Sequence, residues 1–159
     1  MYALLVRIFA DGSLVAIFVI AVLSFALLIP RKKWLFWGWR IVAAGITSYA
    51  TAKIIGFFYQ PETLRPFEKL GVEPLAAFLP NPGFPSDHML FATFLLWAVW
   101  FSTKNKPVTI TLVALTVLMG IARVLALVHT PADVIGGAII GSVGIFWYFY
   151  GQKPKKPVK

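Results

Sequence analysis

The sequence predicts an all-α, polytopic membrane protein: a single domain, residues 1–159, folded as a bundle of about five transmembrane helices with an N-terminal interfacial helix. Hydrophobic residues make up 59% of the chain, well above their usual share in a soluble domain. They also fall into five blocks of about 20 residues, the length that an α-helix needs to cross a hydrocarbon core of about 30 Å.

The five predicted spans run from Ser13 to Pro30, Trp34 to Tyr59, Ser86 to Ser102, Pro107 to His129 and Pro131 to Tyr150. Trp and Tyr cluster near several span ends, as in the aromatic belts of membrane interfaces. The opening run from Met1 to Ala10 is apolar except for Arg7 and is too short to span. No small-residue cleavage site follows a basic stretch, so we expect an interfacial helix and not a signal peptide.

Two further features bear on packing. The segment from Gln60 to Asp87 contains six of the eleven prolines and cannot be a continuous helix. A short amphipathic helix is predicted over Phe67 to Phe78, with Leu70, Leu75 and Phe78 facing inward. In the last span, Gly137 and Gly141 form a small-xxx-small pair, which predicts close helix packing.

The charges are distributed unevenly between the two sides of the predicted bundle. One side receives ten basic residues and no acid: Arg31, Lys32, Lys33, Arg40, Lys104, Lys106, Lys153, Lys155, Lys156 and Lys159. The other side receives five basic residues and all six acids: Arg7, Lys53, Arg65, Lys69, Arg123, Asp11, Glu62, Glu68, Glu73, Asp87 and Asp133. The positive-inside rule places the first side, with the basic tail 152–159 and the C-terminus, in the cytoplasm.

This distribution also explains the net charge of +9 without a nucleic-acid partner, because basic residues at a membrane surface contact anionic lipids. Cysteine is absent from the chain, which excludes a disulfide framework and a thiolate metal site. The side with mixed charges, which we expect to be extracytoplasmic, is where a functional site should be sought.

Both histidines of the chain, His88 and His129, fall at outer ends of predicted spans. They belong to the patterns Pro85-Ser86-Asp87-His88 and Arg123-(five residues)-His129-(three residues)-Asp133, and Arg65-Pro66 lies on the same side. Phosphoryl transfer needs a nucleophile, an acid for the leaving oxygen and fixed positive charge. His129 can be the nucleophile with Asp133 fixing its tautomer, and His88 the acid.

The remaining polar residues of these patterns can bind a phosphate. Arg65, Arg123 and Lys53 can hold its oxygens, and Ser86 lies where free backbone amides begin a helix and favour an anion. Each has a structural alternative. Asp133 and Ser86 can be helix caps, Lys53 can be a snorkelling residue, and Arg123, about 9 Å inside its span, can pair with Asp133 or Asp87.

Taken in order, the three patterns resemble the type-2 phosphatidic-acid phosphatase superfamily. Its signature is Lys-(six residues)-Arg-Pro, then Pro-Ser-Gly-His, then Ser-Arg-(five residues)-His-(three residues)-Asp, and the similarity covers residues 53–137. The resemblance implies a phosphohistidine at His129, oriented by Asp133, with His88 as the acid that later activates water. It further implies phosphate binding by Arg65, Ser86 and Arg123, and activity without a metal ion or another cofactor.

The chain departs from this signature at four points. Lys53 stands twelve positions before Arg65, where the family spacing would place the lysine at Phe58; Ala122 replaces a serine; and five spans replace the usual six. Asp87 replaces the glycine of the second motif, and this residue with Arg65-Pro66-Phe67 resembles the undecaprenyl-diphosphate phosphatase branch.

The resemblance implies a polyprenyl diphosphate substrate, with Asp87 and Lys53 as further candidate binding residues. The alternatives are a phosphatidylglycerophosphate or lipid A phosphatase, a phosphotransferase, and a membrane protein that binds or translocates a lipid head group without cleaving it.

Overall fold

A computed structural model describes residues 1–81 and 83–150, and within these residues the protein is helical with no β-strand. The basic tail 152–159 lies outside the described residues. The α-helices are α1 (Tyr2–Arg7), α2 (Ser13–Leu28), α3 (Trp34–Phe58), α4 (Pro66–Leu70), α5 (Asp87–Thr103), α6 (Lys106–Leu125), α7 (Pro131–Gly141) and α8 (Phe146–Phe149). A π-helical turn, Ile8–Gly12, joins α1 to α2, and short 3₁₀ turns lie at Arg31–Lys33 and Val143–Ile145.

Four helical runs within the described residues are long and apolar enough to cross a membrane: Tyr2–Leu28, Arg31–Phe58, Lys106–Leu125 and Pro131–Phe149. The remaining predicted span, the third (Ser86 to Ser102), corresponds to α5, which has 17 residues. It packs against α2, α3, α6 and α7 at the centre of the bundle. The all-α membrane bundle of about five helices is therefore confirmed.

The N-terminal run differs from the separate interfacial helix that the sequence predicts. It continues through the π turn into α2 as one helical run of 27 residues. No proline interrupts it, and Ala10 in the π turn is fully buried against Ala122 and Ala126. Packing against α6 therefore keeps this run in the bundle.

The N-terminal end of α5 is in backbone contact with α7. A Cβ atom built on Gly137 would lie 2.5 Å from the carbonyl oxygen of Ser86, and one on Gly141 would lie 2.6 Å from that of Leu90. Distances this short leave no room for a side chain at either position. The glycine pair has the packing role that the sequence predicts, and the Ser86 amide donates to the Asp133 carbonyl oxygen at 3.1 Å.

The prediction of an amphipathic helix over Phe67 to Phe78 is wrong. α4 ends at Leu70, because Gly71 adopts a left-handed conformation (φ 63°) that terminates the helix and Pro74 follows shortly after. Leu70 is exposed, whereas Phe67 is buried and its ring lies 4.9 Å from that of Phe78.

This segment folds over the turn that follows α6. The Phe67 amide donates to the Leu127 carbonyl oxygen at 3.0 Å, and the Leu75 amide donates to that of Ala126 at 3.2 Å. The proline-rich connection is thereby tied to the residues that precede His129.

We expect Gly137→Ala to destabilise the protein by about 1–3 kcal/mol, because the new methyl group would have to push the α5 backbone away. Gly38→Ala is the matched control, since a Cβ at Gly38 meets nothing within 4 Å. It should be neutral or stabilise α3 by about 0.5–1 kcal/mol. Thermal unfolding of both variants in detergent checks this, and equal shifts in the two melting temperatures would contradict the backbone contact.

Candidate active site

The turn between α6 and α7 places His129. α6 ends at Leu125, four residues earlier than predicted, and Leu127 takes a left-handed conformation with φ 62°. Arg123 is therefore two residues from the end of its helix and not about 9 Å inside it. Its side chain is nevertheless only 1% exposed, because the segment around Ala77 and the π turn cover it.

The carboxylate of Asp133 serves both the helix start and the histidine. Its Oδ2 atom accepts from the Thr130 amide at 2.7 Å, and its own amide donates to Thr130 Oγ1 at 3.2 Å, which is a reciprocal cap. The same Oδ2 atom lies 3.6 Å from Nδ1 of His129. The capping alternative and the expected contact with His129 are therefore compatible.

The His129 imidazole is buried, and burial lowers its pKa below the usual histidine value, while the nearby Asp133 carboxylate partly offsets this effect. The imidazole is therefore mostly neutral at pH 7. The carboxylate lies beside Nδ1 at 3.6 Å, which is longer than a hydrogen bond, so its expected role in holding the Nδ1 proton and leaving Nε2 free to attack stays a prediction.

Both histidines and both candidate arginines border one cavity of about 220 Å³. His88, in the first turn of α5, and His129, in the turn before α7, come together there because the N-terminal end of α5 packs directly against α7. Arg65 and Arg123 also line the cavity, as does Asp87. The cavity thus combines two imidazoles with two fixed positive charges.

The terminal nitrogens of Arg65 hold the proline-rich connection in place through hydrogen bonds. Nη1 donates to the Val128 carbonyl oxygen at 2.5 Å, and Nη2 donates to Leu79 O, Asn81 O and Asn81 Oδ1 at 3.2, 3.1 and 2.9 Å. Burial lowers the pKa of Arg65, and Asp133, Glu68 and Asp87 act against this effect. The guanidinium organises the cavity wall, and its expected contact with phosphate stays a prediction.

Arg123 pairs with Asp11 and not with Asp133 or Asp87, the partners of the structural alternative, and its expected contact with phosphate stays a prediction. Nη1 lies 3.0 Å from Asp11 Oδ1 and donates to the Ala77 carbonyl oxygen at 2.8 Å, whereas Nε is buried without a hydrogen bond. Sequence reasoning missed Asp11 as a site residue. The available signal was that Asp11 is the only acid in the first helical run.

Lys53 and Asp87 form an ion pair at 3.3 Å, although neither residue fits the family signature. The second oxygen of Asp87 accepts from Asn81 Nδ2 at 3.2 Å, which links this pair to Arg65 through Asn81. Asp87, which replaces the glycine of the family motif, therefore pairs with Lys53, which lies outside the motif's lysine position. Lys53 lies one contact away from the histidine cavity and does not line it. Asn81 is the second residue that sequence reasoning missed, since it belongs to no motif.

Ser86 occupies the N-cap position of α5, but its side chain makes no capping hydrogen bond. The residue is completely buried, and Oγ has no hydrogen-bond partner. Its expected contact with phosphate stays a prediction. Among residues 1–81 and 83–150, no group of three or more His, Asp or Glu side chains is arranged to hold a metal ion.

Comparison with known proteins gives two similarities. Residues 38–157 match the PAP2 superfamily, which is well over half of the chain. The undecaprenyl-diphosphatase BcrC of Bacillus subtilis (strain 168) is 28% identical over 148 residues, which cover 87% of this chain and 73% of that protein. No solved structure matches the chain significantly.

The family match includes His88, Arg123, His129 and Asp133, and the cavity brings the first three of these residues together. The chain therefore belongs to the PAP2 superfamily, and it is a phosphatase.

Proposed function

We propose that the protein removes the terminal phosphate of a membrane-anchored polyprenyl diphosphate, with undecaprenyl diphosphate as first choice, through a phosphohistidine intermediate. The observation that carries the proposal is the shared cavity of His88 and His129, with Asp133 behind His129 and Arg65 and Arg123 in the wall. These are the parts that a metal-independent phosphoryl transfer needs.

In the first step, Nε2 of His129 attacks the terminal phosphorus. A nitrogen–phosphorus bond forms as the bond from phosphorus to the bridging oxygen breaks. His88 donates a proton to that oxygen, and the lipid monophosphate leaves. Asp133 holds the Nδ1 proton and stabilises the positive charge that develops on the ring, while Arg123 stabilises the phosphoryl oxygens.

In the second step, the phosphohistidine is hydrolysed. His88, neutral after donating its proton, takes a proton from a water molecule that attacks the phosphorus. The nitrogen–phosphorus bond breaks, inorganic phosphate forms, and His129 returns to its neutral state. Both histidines are then in their starting protonation states.

Two observations support a diphosphate substrate. BcrC, which matches most of this chain, is named an undecaprenyl-diphosphatase. Lys53, paired with Asp87 and linked through Asn81 to Arg65, is also a half-exposed cation one contact beyond the histidine cavity, where we place the second phosphate. The charge asymmetry of the sequence supports an extracytoplasmic cavity and a cytoplasmic C-terminus.

The central test uses the purified full-length protein and its His129→Ala variant. Wild-type protein should release phosphate from undecaprenyl diphosphate faster than from phosphatidate, phosphatidylglycerophosphate or lipid A. His129→Ala should lower kcat by about 10⁴-fold or more, as loss of a nucleophile does, and should not form an acid-labile phosphoenzyme. His88→Ala should lower kcat by about 10²- to 10⁴-fold, because the leaving oxygen is no longer protonated.

Four results would count against this proposal. Lipid binding without turnover would favour a head-group binding protein. Turnover by His129→Ala at the wild-type rate would rule out a phosphohistidine intermediate. Loss of activity with a chelator and its return with a divalent metal would contradict metal independence. Transfer of phosphate to an acceptor other than water, seen by product analysis, would identify a phosphotransferase.

The pH dependence of kcat/KM should report the protonation state of His129. Attack requires the neutral imidazole, so kcat/KM falls as pH falls through the His129 pKa. Burial lowers that pKa, so the acidic limb of the pH profile of kcat/KM should lie below about pH 6.5, the ordinary histidine value. Asp133→Asn removes a carboxylate that raises the pKa. The limb should then move to still lower pH, while kcat/KM at pH 7 falls about 10²- to 10⁴-fold. A limb that moves upward would contradict this role of Asp133.

Lys53 and Asp87 should be coupled in activity. Lys53→Ala leaves the Asp87 carboxylate unpaired near the phosphate, so kcat/KM for a diphosphate should fall about fivefold, a modest effect because Lys53 is half exposed. Replacing Asp87 by glycine in the Lys53→Ala background should restore part of this loss. The measurement is a double-mutant cycle on kcat/KM, and strictly additive losses would show that the pair does not act as a unit.

A further inference from the structure

Asp11 lies on the π-helical turn Ile8–Gly12, inside the first membrane-crossing run and outside every motif. Its neighbour Ala10 is fully buried against Ala122 and Ala126, so the turn is fixed against α6 next to Arg123. π turns are rare and are often found at functional sites. The one charged side chain of this turn is the Asp11 carboxylate.

Both oxygens of Asp11 have partners. Oδ1 lies 3.0 Å from Arg123 Nη1, and Oδ2 accepts from the Ala77 amide at 3.1 Å. The Ala77 carbonyl oxygen in turn accepts from the same Nη1 atom at 2.8 Å. Three distant parts of the chain thus form a closed ring of contacts, which fixes one end of the planar guanidinium.

A second donor of that guanidinium is unused. Within the described part of the chain, Nε of Arg123 is buried and makes no hydrogen bond, although a buried charged donor without a partner is costly. Arg123 borders the histidine cavity, and Asp11 does not. The carboxylate therefore contacts Arg123 from outside the cavity and does not occupy the place of a phosphate.

We propose that Asp11 is a positioning residue of the phosphatase: it holds Nη1 of Arg123 so that the Nε edge meets the phosphoryl group, and it ties the segment at Ala77 to the bundle. This role rests on the proposed function, since it assumes that Arg123 binds the transferred phosphoryl group. It differs from that of a plain counter-ion, which would neutralise the arginine without orienting it.

The test compares full-length wild-type protein, Asp11→Ala and Asp11→Asn in detergent, with undecaprenyl diphosphate as substrate and vanadate as an inhibitor that mimics the transferred phosphoryl group. Asp11→Ala should lower kcat/KM about 100-fold and weaken vanadate inhibition at least about tenfold, since misplacement of a binding group by about 1 Å has effects of this size. Asp11→Asn keeps an acceptor for the Ala77 amide and loses only the charge, so its loss should be about tenfold.

Glu73→Gln is the matched control. Glu73 is another outer-side acid, it is exposed, and it belongs to no part of the site, so its replacement should leave kcat/KM and vanadate inhibition unchanged. Melting temperatures of all variants report folding separately. If Asp11→Ala does not fold, Asp11→Asn replaces it in every comparison.

A double-mutant cycle separates positioning from a general structural effect. If Asp11 acts through Arg123, adding Asp11→Ala to Arg123→Ala should change kcat/KM by no more than about twofold. An equal loss in both backgrounds, or unchanged vanadate inhibition in a folded Asp11→Ala variant, would overturn the proposal. Wild-type protein that releases no phosphate from any lipid would instead contradict the proposed function.

Discussion

The backbone contact between α5 and α7 is the constraint on which the rest of the site depends. Gly137 and Gly141 allow the α7 backbone to lie directly against Ser86 and Leu90, where a single methyl group would not fit. His88 lies in the first turn of α5, and His129 lies two residues before the start of α7. Two imidazoles that are 41 positions apart in the sequence therefore share a cavity because α7 has glycines where it touches α5.

Several groups in this site have a structural and a chemical role at once. The Asp133 carboxylate caps α7 and faces His129, and the Arg65 guanidinium fastens the proline-rich connection while it borders the cavity. Each side chain is held by backbone groups, so its position is fixed before a substrate arrives. Such preorganisation is what electrostatic stabilisation of a phosphoryl group requires.

The sequence predicts most of the helices, and its motifs contain residues that the structure gathers at one cavity, because apolar length and motif spacing are local properties. It does not predict features that depend on contacts between distant parts of the chain. Asp11 reaches Arg123 across 112 positions and Asn81 joins Arg65 to Asp87, and no local pattern marks either residue. The N-terminal run was expected to lie apart because its first ten residues are too short to span, but packing of Ala10 against α6 joins it to α2.

The cations around the cavity are already paired within the described part of the chain: Lys53 with Asp87, Arg65 with carbonyl oxygens and Asn81, and Arg123 with Asp11. An arriving anion therefore meets cations whose charge the protein already partly compensates, and its new contacts are with the donors that remain, such as Nε of Arg123. The net gain in binding free energy is then small, which disfavours phosphate or sulfate free in solution. An anion anchored in the bilayer is present at a high local concentration, which compensates for the small gain in binding free energy. Selection between dissolved and membrane-bound phosphates thus follows from the internal pairing of the basic residues.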